Sequence, residues 1–235
     1  TTAKAEEHPG TSLKRGPLAN EYVVVYESPD PAKVYAYSPG IAILPSGRLV
    51  ATMDQGGKGV KDLPGLRKEG KHVWNGKIFT SDDRGKTWTE RSAMPFAHAR
   101  PFVAGKGLYI IGKDPDLGVM RSDDEGVTWS EPSWLTEKQH WHQAPCNVCY
   151  ARGRIYLVME RVTEDVKYWA VSVLAPVVLS ADVNDDLLQK KSWTFSNEFT
   201  FKDAVARAGK PNLVGVPFFN EGPTDLRDIH NVRYM

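Results

Sequence analysis

The 235-residue chain carries 30 Lys and Arg against 29 Asp and Glu, a net charge of +1 at pH 7. No field of one sign is therefore available to hold nucleic acid or an anionic membrane. With 41% hydrophobic and 25% charged residues, the chain can bury a sizeable core and shows no disorder signature. No apolar run approaches the ~18 residues that a transmembrane helix requires.

Residues 1–19 are polar and punctuated by Gly and Pro, which predicts a poorly ordered arm. The start at Thr1-Thr2, without an initiator Met, is compatible with a mature secreted or periplasmic chain after signal removal, or simply with a trimmed chain. The alternating, β-branched stretch EYVVVYE at 21–27 predicts a strand, ended by Pro29-Asp30-Pro31. In YSPGIAILPSGRLVATMD the pattern predicts strands at 40–44 and 48–53 around a turn at 45–47. The Gly- and Lys-rich stretch 54–72 reads as a long loop of the kind that carries function. Its Gly56-Gly57-Lys58-Gly59 run has a phosphate-cradle composition, but no helix pattern follows it.

The next segments repeat. SDDRGKTW at 81–88 and SDDEGVTW at 122–129 both read Ser-Asp-Asp-x-Gly-x-Thr-Trp, about 40 residues apart, a spacing typical of four-stranded repeat units. Each copy holds the parts of a tight turn. Ser and Asp side chains bond nearby backbone amides, Gly permits φ > 0, and Thr-Trp opens the outgoing strand. Ser81, Asp83, Gly85, Trp88, Ser122, Asp124, Gly126 and Trp129 are thus turn-building residues. Asp82 and Asp123 also read as turn residues before chemical ones.

Between and after the two copies the pattern continues: RPFVAGKGLYIIGK gives two strands joined at 105–107. RIYLVME gives a strand at 154–160 after a turn at Arg152-Gly153. LSADVNDDLLQKKSWT is a degenerate third copy of the turn, and NLVGVPFFNEGPTDL has the composition of one more opening strand. Cys146 and Cys149, the two cysteines, lie in a strand-like run, where positions three apart face opposite sides; buried structural thiols are expected.

The repeated turn resembles the Asp-box, or bacterial neuraminidase repeat, of the sialidase superfamily. That resemblance implies an all-β fold, a six-bladed β-propeller of four-stranded blades, of which this chain supplies about three. The blades fall roughly at 34–95, 96–136 and 137–201, with the start of a fourth at 210–235. A propeller needs about 4–8 blades to close, so the expectation is either a remainder beyond these residues or a homo-oligomer whose halves complete one ring.

The resemblance also implies a glycoside hydrolase that removes a terminal, acidic sugar from a glycan, with no cofactor, no metal and no nucleic-acid partner. The family clamps its substrate carboxylate with arginines, which suits a planar guanidinium fork. Its first Arg belongs to Tyr-Arg-Ile-Pro, whereas this chain reads Tyr37-Ser38-Pro39-Gly40, so Ser38 stands where that Arg would be. The family's acid/base Asp lies in the loop beyond this motif, which implies Asp62, or else Asp54, here. Glu221 matches a family Glu-Gly and would assist a nucleophile.

The resemblance also implies a ligand face with Tyr37, Arg67, Arg100, Trp141 and Gln143 as substrate-binding candidates, and with His98, His140 and His142 beside them. The stretch His140–Gln143 offers an indole for stacking on a sugar, and His142 could serve as the base of a uronic-acid-directed hydrolase or lyase. A propeller that binds glycan or protein without turnover is the third reading.

Overall fold

The computed structural model describes residues 21–63, 67–68, 71–72, 75–142, 148–163 and 174–200, together with Asp203 and Arg207. Among the described residues the fold is all-β apart from two single-turn 3-10 segments and the helical backbone at Asp203 and Arg207. None of the described helical residues belongs to a helix long and apolar enough to cross a membrane.

Three antiparallel sheets follow one another along the chain. The first holds β1 (Tyr35–Ile43), β2 (Leu49–Gly56), β5 (Asn75–Ser81) and β6 (Thr89–Met94), in that spatial order. Between β2 and β5 the short strands β3 (Arg67–Lys68) and β4 (Lys71–His72) pair with each other. The second sheet holds β7 (Ala97–Ala104), β8 (Gly107–Asp114), β9 (Asp116–Ser122) and β10 (Ser133–Trp134). In the third, β11 (Trp141–His142) and β12 (Cys149–Ala151) lie along one edge of β13 (Arg154–Val162). β14 (Leu174–Asp182) and β15 (Trp193–Phe195) complete that sheet. Successive four-stranded meanders are the organisation of propeller blades.

β8 shows why the sheets stack. Its residues GLYIIGK are all buried, and side chains alternate across a strand. Leu108 and Ile110 enter a core shared with Val50, Ile78 and Phe96 of the first sheet and the linker that follows it. Tyr109 and Ile111 enter a second core with Ile155, Leu157, Leu179 and Trp193 of the third sheet. The middle sheet is thus committed on both faces. Where β7 crosses β1, Gly40 makes the approach possible: a Cβ there would lie 2.7 Å from both Pro101 Cδ and Thr52 Oγ1.

The two repeated turns have matching bonding. Ser81 and Ser122 hydroxyls accept the amides of Gly85 and Gly126, both at 2.8 Å. Asp83 accepts the amide and hydroxyl of Thr87 at 2.8 and 2.7 Å; Asp124 does the same for Thr128 at 2.8 and 2.6 Å. Trp88 and Trp129 donate their indole N–H to the carbonyls of Gly85 and Gly126. Gly85 and Gly126 sit at φ 83° and 87°, the left-handed region that glycine enters without cost. Asp82 and Asp123 instead pair with Arg48 and Arg121 at the surface. The degenerate third copy keeps the indole closure, Trp193 Nε1 donating to Leu187 O at 2.9 Å.

Several expectations are corrected. The stretch 21–27 joins no sheet among the described residues; it lies against the first sheet through Tyr26, which packs on Phe79 and bonds Gln55. Its β-branched composition supplied a propensity but no partner edge. The predicted loop 54–72 begins as the end of β2 and contains the β3–β4 hairpin. Its Gly57 and Gly59 admit the chain at Lys33, whose carbonyl accepts the Gly59 amide at 2.9 Å, so this run does not form a phosphate cradle. Cys149 is exposed, because β12 is an edge strand whose described residues all face solvent; Cys146 lies outside the described residues, as do 1–19 and 210–235.

The Thr hydroxyls and amides hold the Asp83 and Asp124 carboxyls down to about 2, against about 3.9 for an unfolded Asp. A depressed carboxyl stabilises fully above the unfolded value and loses that effect as pH falls toward the folded one. Asp83→Ala and Asp124→Ala are each expected to lower the thermal midpoint at neutral pH by about 2–4 °C. In a melting series the gap to the parent chain should close as pH drops from about 4 to about 2.

Candidate functional site

One irregularity recurs in the innermost strands. Between Tyr37 and Gly40, β1 carries one more residue than its partner β2, and between Ala97 and Arg100, β7 carries one more than β8. These are β-bulges, which bend a strand and re-aim a side chain. The residue just inside each bulge has φ > 0: Ser38 at 50° and His98 at 56°. Such backbone strain persists only where the surroundings enforce it.

The bulges bring the two side chains together across the sheet boundary, Ser38 Oγ lying 2.7 Å from His98 Nδ1. Arg100 reinforces the crossing, donating through Nη1 to the carbonyls of Ser38 and Ala99 at 3.2 and 3.0 Å. The residues opposite the two bulges, and opposite His142 in the third sheet, are all ionisable. Asp54 faces Tyr37, Lys113 faces Ala97 and Glu160 faces His142.

Asp54 is 1% exposed. Its Oδ1 accepts the His98 amide at 3.1 Å, and its Oδ2 has no hydrogen-bond partner. Burial pushes its carboxyl above the usual range, opposed by the His98 amide, the Ser38 hydroxyl and the charges of Lys113 and Arg100. Burial pushes the Lys113 ammonium the other way, opposed by Asp114 and Asp54. The His142 ring is held through Nδ1 by Glu160 Oε2 at 3.0 Å and leans on the His98 ring, centroids 5.8 Å apart.

These groups open on a cleft of about 1380 Å³, bounded by β1, the end of β2, β7 and the two edge strands of the third sheet. Asp54, Ser38, His98, Arg100 and His142 form its polar part; Ile41, Ile43, Val103 and Tyr150 form an apolar wall. Among the described residues no group of three or more His, Cys, Asp or Glu is arranged to hold a metal ion.

Of the residues singled out in the sequence, Asp54, Tyr37, His98, Arg100 and His142 line this cleft. Asp62 ends the exposed 3-10 turn Val60–Asp62 and is not part of the lining, although Val60 is. Trp141, expected as a sugar platform, is 2% exposed in the core against Phe195, its N–H on Gln139. Strand alternation sends Trp141 inward and its neighbour His142 to the cleft. His140 is exposed. Arg67 lies in β3, whereas Gln143 and Glu221 lie outside the described residues. Lys113 and Glu160 went unnoticed in the sequence. Their signal was a charge closing an apolar run, in GLYIIGK and RIYLVME.

No protein-family model matches the chain, and no curated protein matches it. Solved structures do. An α-L-arabinofuranosidase from Lactobacillus brevis superposes with a TM-score of 0.50 at 16% identity, over 73% of this chain and 58% of that one. Two further similar structures fall below that score. A family 117 glycoside hydrolase from Zobellia galactanivorans gives 0.48 at 13% identity, over 73% of this chain and 58% of the other. An α-L-arabinanase from Penicillium chrysogenum with arabinobiose gives 0.43 at 17% identity, over 72% and 49%. The chain shares its fold with the first of these and spans little more than half of its length.

A carboxyl with a raised folded pKa stabilises fully below the unfolded value, and that stability is lost as pH rises through the folded one. Ionising Asp54 in place is therefore a cost at neutral pH, which Asp54→Asn removes while keeping an acceptor for the His98 amide. The variant should melt higher than the parent at pH 7 and no higher below about pH 4, as differential scanning calorimetry would show.

Proposed function

We propose that the chain carries the acid–base half of a glycoside hydrolase, with Asp54 as the group that donates and recovers the proton. The observation that carries this reading is a buried carboxyl of raised proton affinity at the floor of an open cleft. A carboxyl whose proton affinity is raised by burial is better suited to protonating a glycosidic oxygen than an ordinary one. The fold shared with an arabinofuranosidase supports the reading as to scaffold; function rests on the site.

In this reading the enzyme acts on a terminal sugar, and an acidic one suits the lining, where Asp54 is the only carboxylate among the lining residues and Arg100, His98 and His142 line it too. Glycosidases work with two carboxyl groups. We assign the second to Glu221 or to further blades, supplied by chain beyond these residues or by a second copy. A secreted or periplasmic location accords with a glycan substrate.

A specific observation favours a second reading. Glu160 holds the His142 ring through Nδ1, which in the neutral ring leaves the basic lone pair on Nε2. A base so oriented suits proton abstraction beside a uronate carboxylate, the first step of a lyase.

A panel of chromogenic α-sialosides, glucuronides and α-L-arabinofuranosides, with uronate oligosaccharides beside them, separates these readings. For hydrolysis, Asp54→Asn should lose about 10²–10⁴-fold in kcat, while Asp62→Asn and His142→Gln keep most activity. An ultraviolet-absorbing unsaturated product that disappears in His142→Gln, with Asp54→Asn still active, would replace the hydrolase by the lyase. Saturable glycan binding without turnover of any substrate would leave a binding module.

A further inference from the structure

We propose that Tyr37, set in place by Gly56 and Tyr35, is the stacking platform of the cleft and takes the apolar face of a sugar ring beside Asp54. The platform rests on the glycoside-hydrolase reading of the cleft and deepens it, naming what holds the sugar. In the β1–β2 ladder Tyr37 pairs with Asp54, and Tyr35 pairs with Gly56. Cross-strand partners project from the same face of a sheet, with Cβ atoms about 4.5–5.5 Å apart. Tyr37 therefore stands next to the buried carboxyl, and both residues line the cleft. Phe102, another ring of that lining, is buried, and Tyr150 lies in the apolar wall with its hydroxyl on the Val103 carbonyl. Among the Phe and Tyr rings of the lining, only Tyr37 is paired with the acid.

The two glycines that follow Gln55 show how the rings are seated. A Cβ at Gly56 would collide with Tyr37, lying 2.9 Å from its Cδ2 and nearer still to Cε2. A Cβ at Gly57 would lie 3.0 Å from both Cδ2 and Cε2 of Tyr35. The two rings meet edge to face, centroids 6.1 Å apart and planes at 83°. A ring already held in this way loses little freedom when a ligand stacks on it. Yet Tyr37 remains 45% exposed, so the fold positions this aromatic surface without covering it. Its neighbours select the occupant. A wholly apolar partner would strip water from Asp54, Arg100, His98 and His142 and return nothing to them. A sugar ring matches both demands. One of its faces is made of C–H groups and suits an aromatic ring, while the hydroxyls at its rim reach the polar lining. Gly56 and Tyr35 are positioning residues, which act on the sugar through the Tyr37 ring.

Proton NMR of the full chain carrying Asp54→Asn, which stops turnover, tests this with the methyl glycosides of L-arabinofuranose, glucuronic acid and N-acetylneuraminic acid as probes. C–H signals of a bound probe should move upfield, as protons above an aromatic face do. Tyr37→Phe should keep that shift. Tyr37→Ala should abolish it and weaken binding about tenfold. Gly56→Ala should also diminish it, because the new methyl displaces the ring while the melting temperature stays near the parent's. In the chain with Asp54 restored, Gly56→Ala should raise KM and leave kcat nearly unchanged. Equal affinity in Tyr37→Ala, a bound probe with no upfield shift, or binding of no probe would each overturn the platform. An undiminished shift in Gly56→Ala would overturn the part given to Gly56. Failure of the hydrolase reading looks different: the shifts appear and respond to Tyr37→Ala, but no substrate of the panel is turned over. Turnover with an unchanged KM in Tyr37→Ala would keep the reaction and remove the platform.

Discussion

One inserted residue, repeated in β1 and in β7, is the constraint on which the site depends. Without it each innermost strand would continue its alternation, and Ser38 and His98 would point along their own sheets. The bulge turns both backbones into the left-handed region, where a side chain leaves at an angle no regular strand offers. The contact therefore belongs to neither sheet alone. It exists because Gly40 lets β7 come close enough to β1 and because Arg100 pins the carbonyls on both sides. Strain, close packing and a buried carboxyl coincide at one level of the fold. Such coincidence is characteristic of places where stability has been given up for chemistry.

Much of the fold was legible in the sequence where local chemistry is decisive. The turns at 81–88 and 122–129 follow from Ser, Asp, Gly, Thr and Trp acting within eight residues, and distant packing does not alter them. The strands around Gly105 and around Arg152-Gly153 follow from alternation bounded by turn residues. What failed was whatever depends on a partner. The stretch 21–27 has strand composition, but an edge to pair with is not a property of seven residues. Cys149 looked like a core thiol because its run was apolar, and only the sheet shows that β12 is an edge.

The site was legible in pieces. Tyr37, Asp54, Arg100 and His142 were marked by their places relative to turns and strand starts, and those places bring them to one cleft. Ser38 was noticed only as a departure from an arginine. Nothing in Tyr37-Ser38-Pro39-Gly40 announces a positive φ, since serine is not a residue that usually takes it. The Asp54 environment was equally invisible, because its proton affinity is set by burial and by groups on β1, β7 and β8 far apart in the chain. Trp141 shows the converse error. An indole beside two histidines suggests a sugar platform until alternation assigns it to the core.

The middle sheet has a consequence for how the molecule comes apart. Because β8 gives Leu108 and Ile110 to one core and Tyr109 and Ile111 to the other, neither core can dissolve while the other stays intact. In many repeat architectures each unit contacts its neighbours through separate elements, and opening can proceed from an end inward. Here a single strand is common property of both interfaces, so the three sheets are coupled into one cooperative block. The Ser38–His98 contact inherits that coupling: it spans a boundary that cannot open alone.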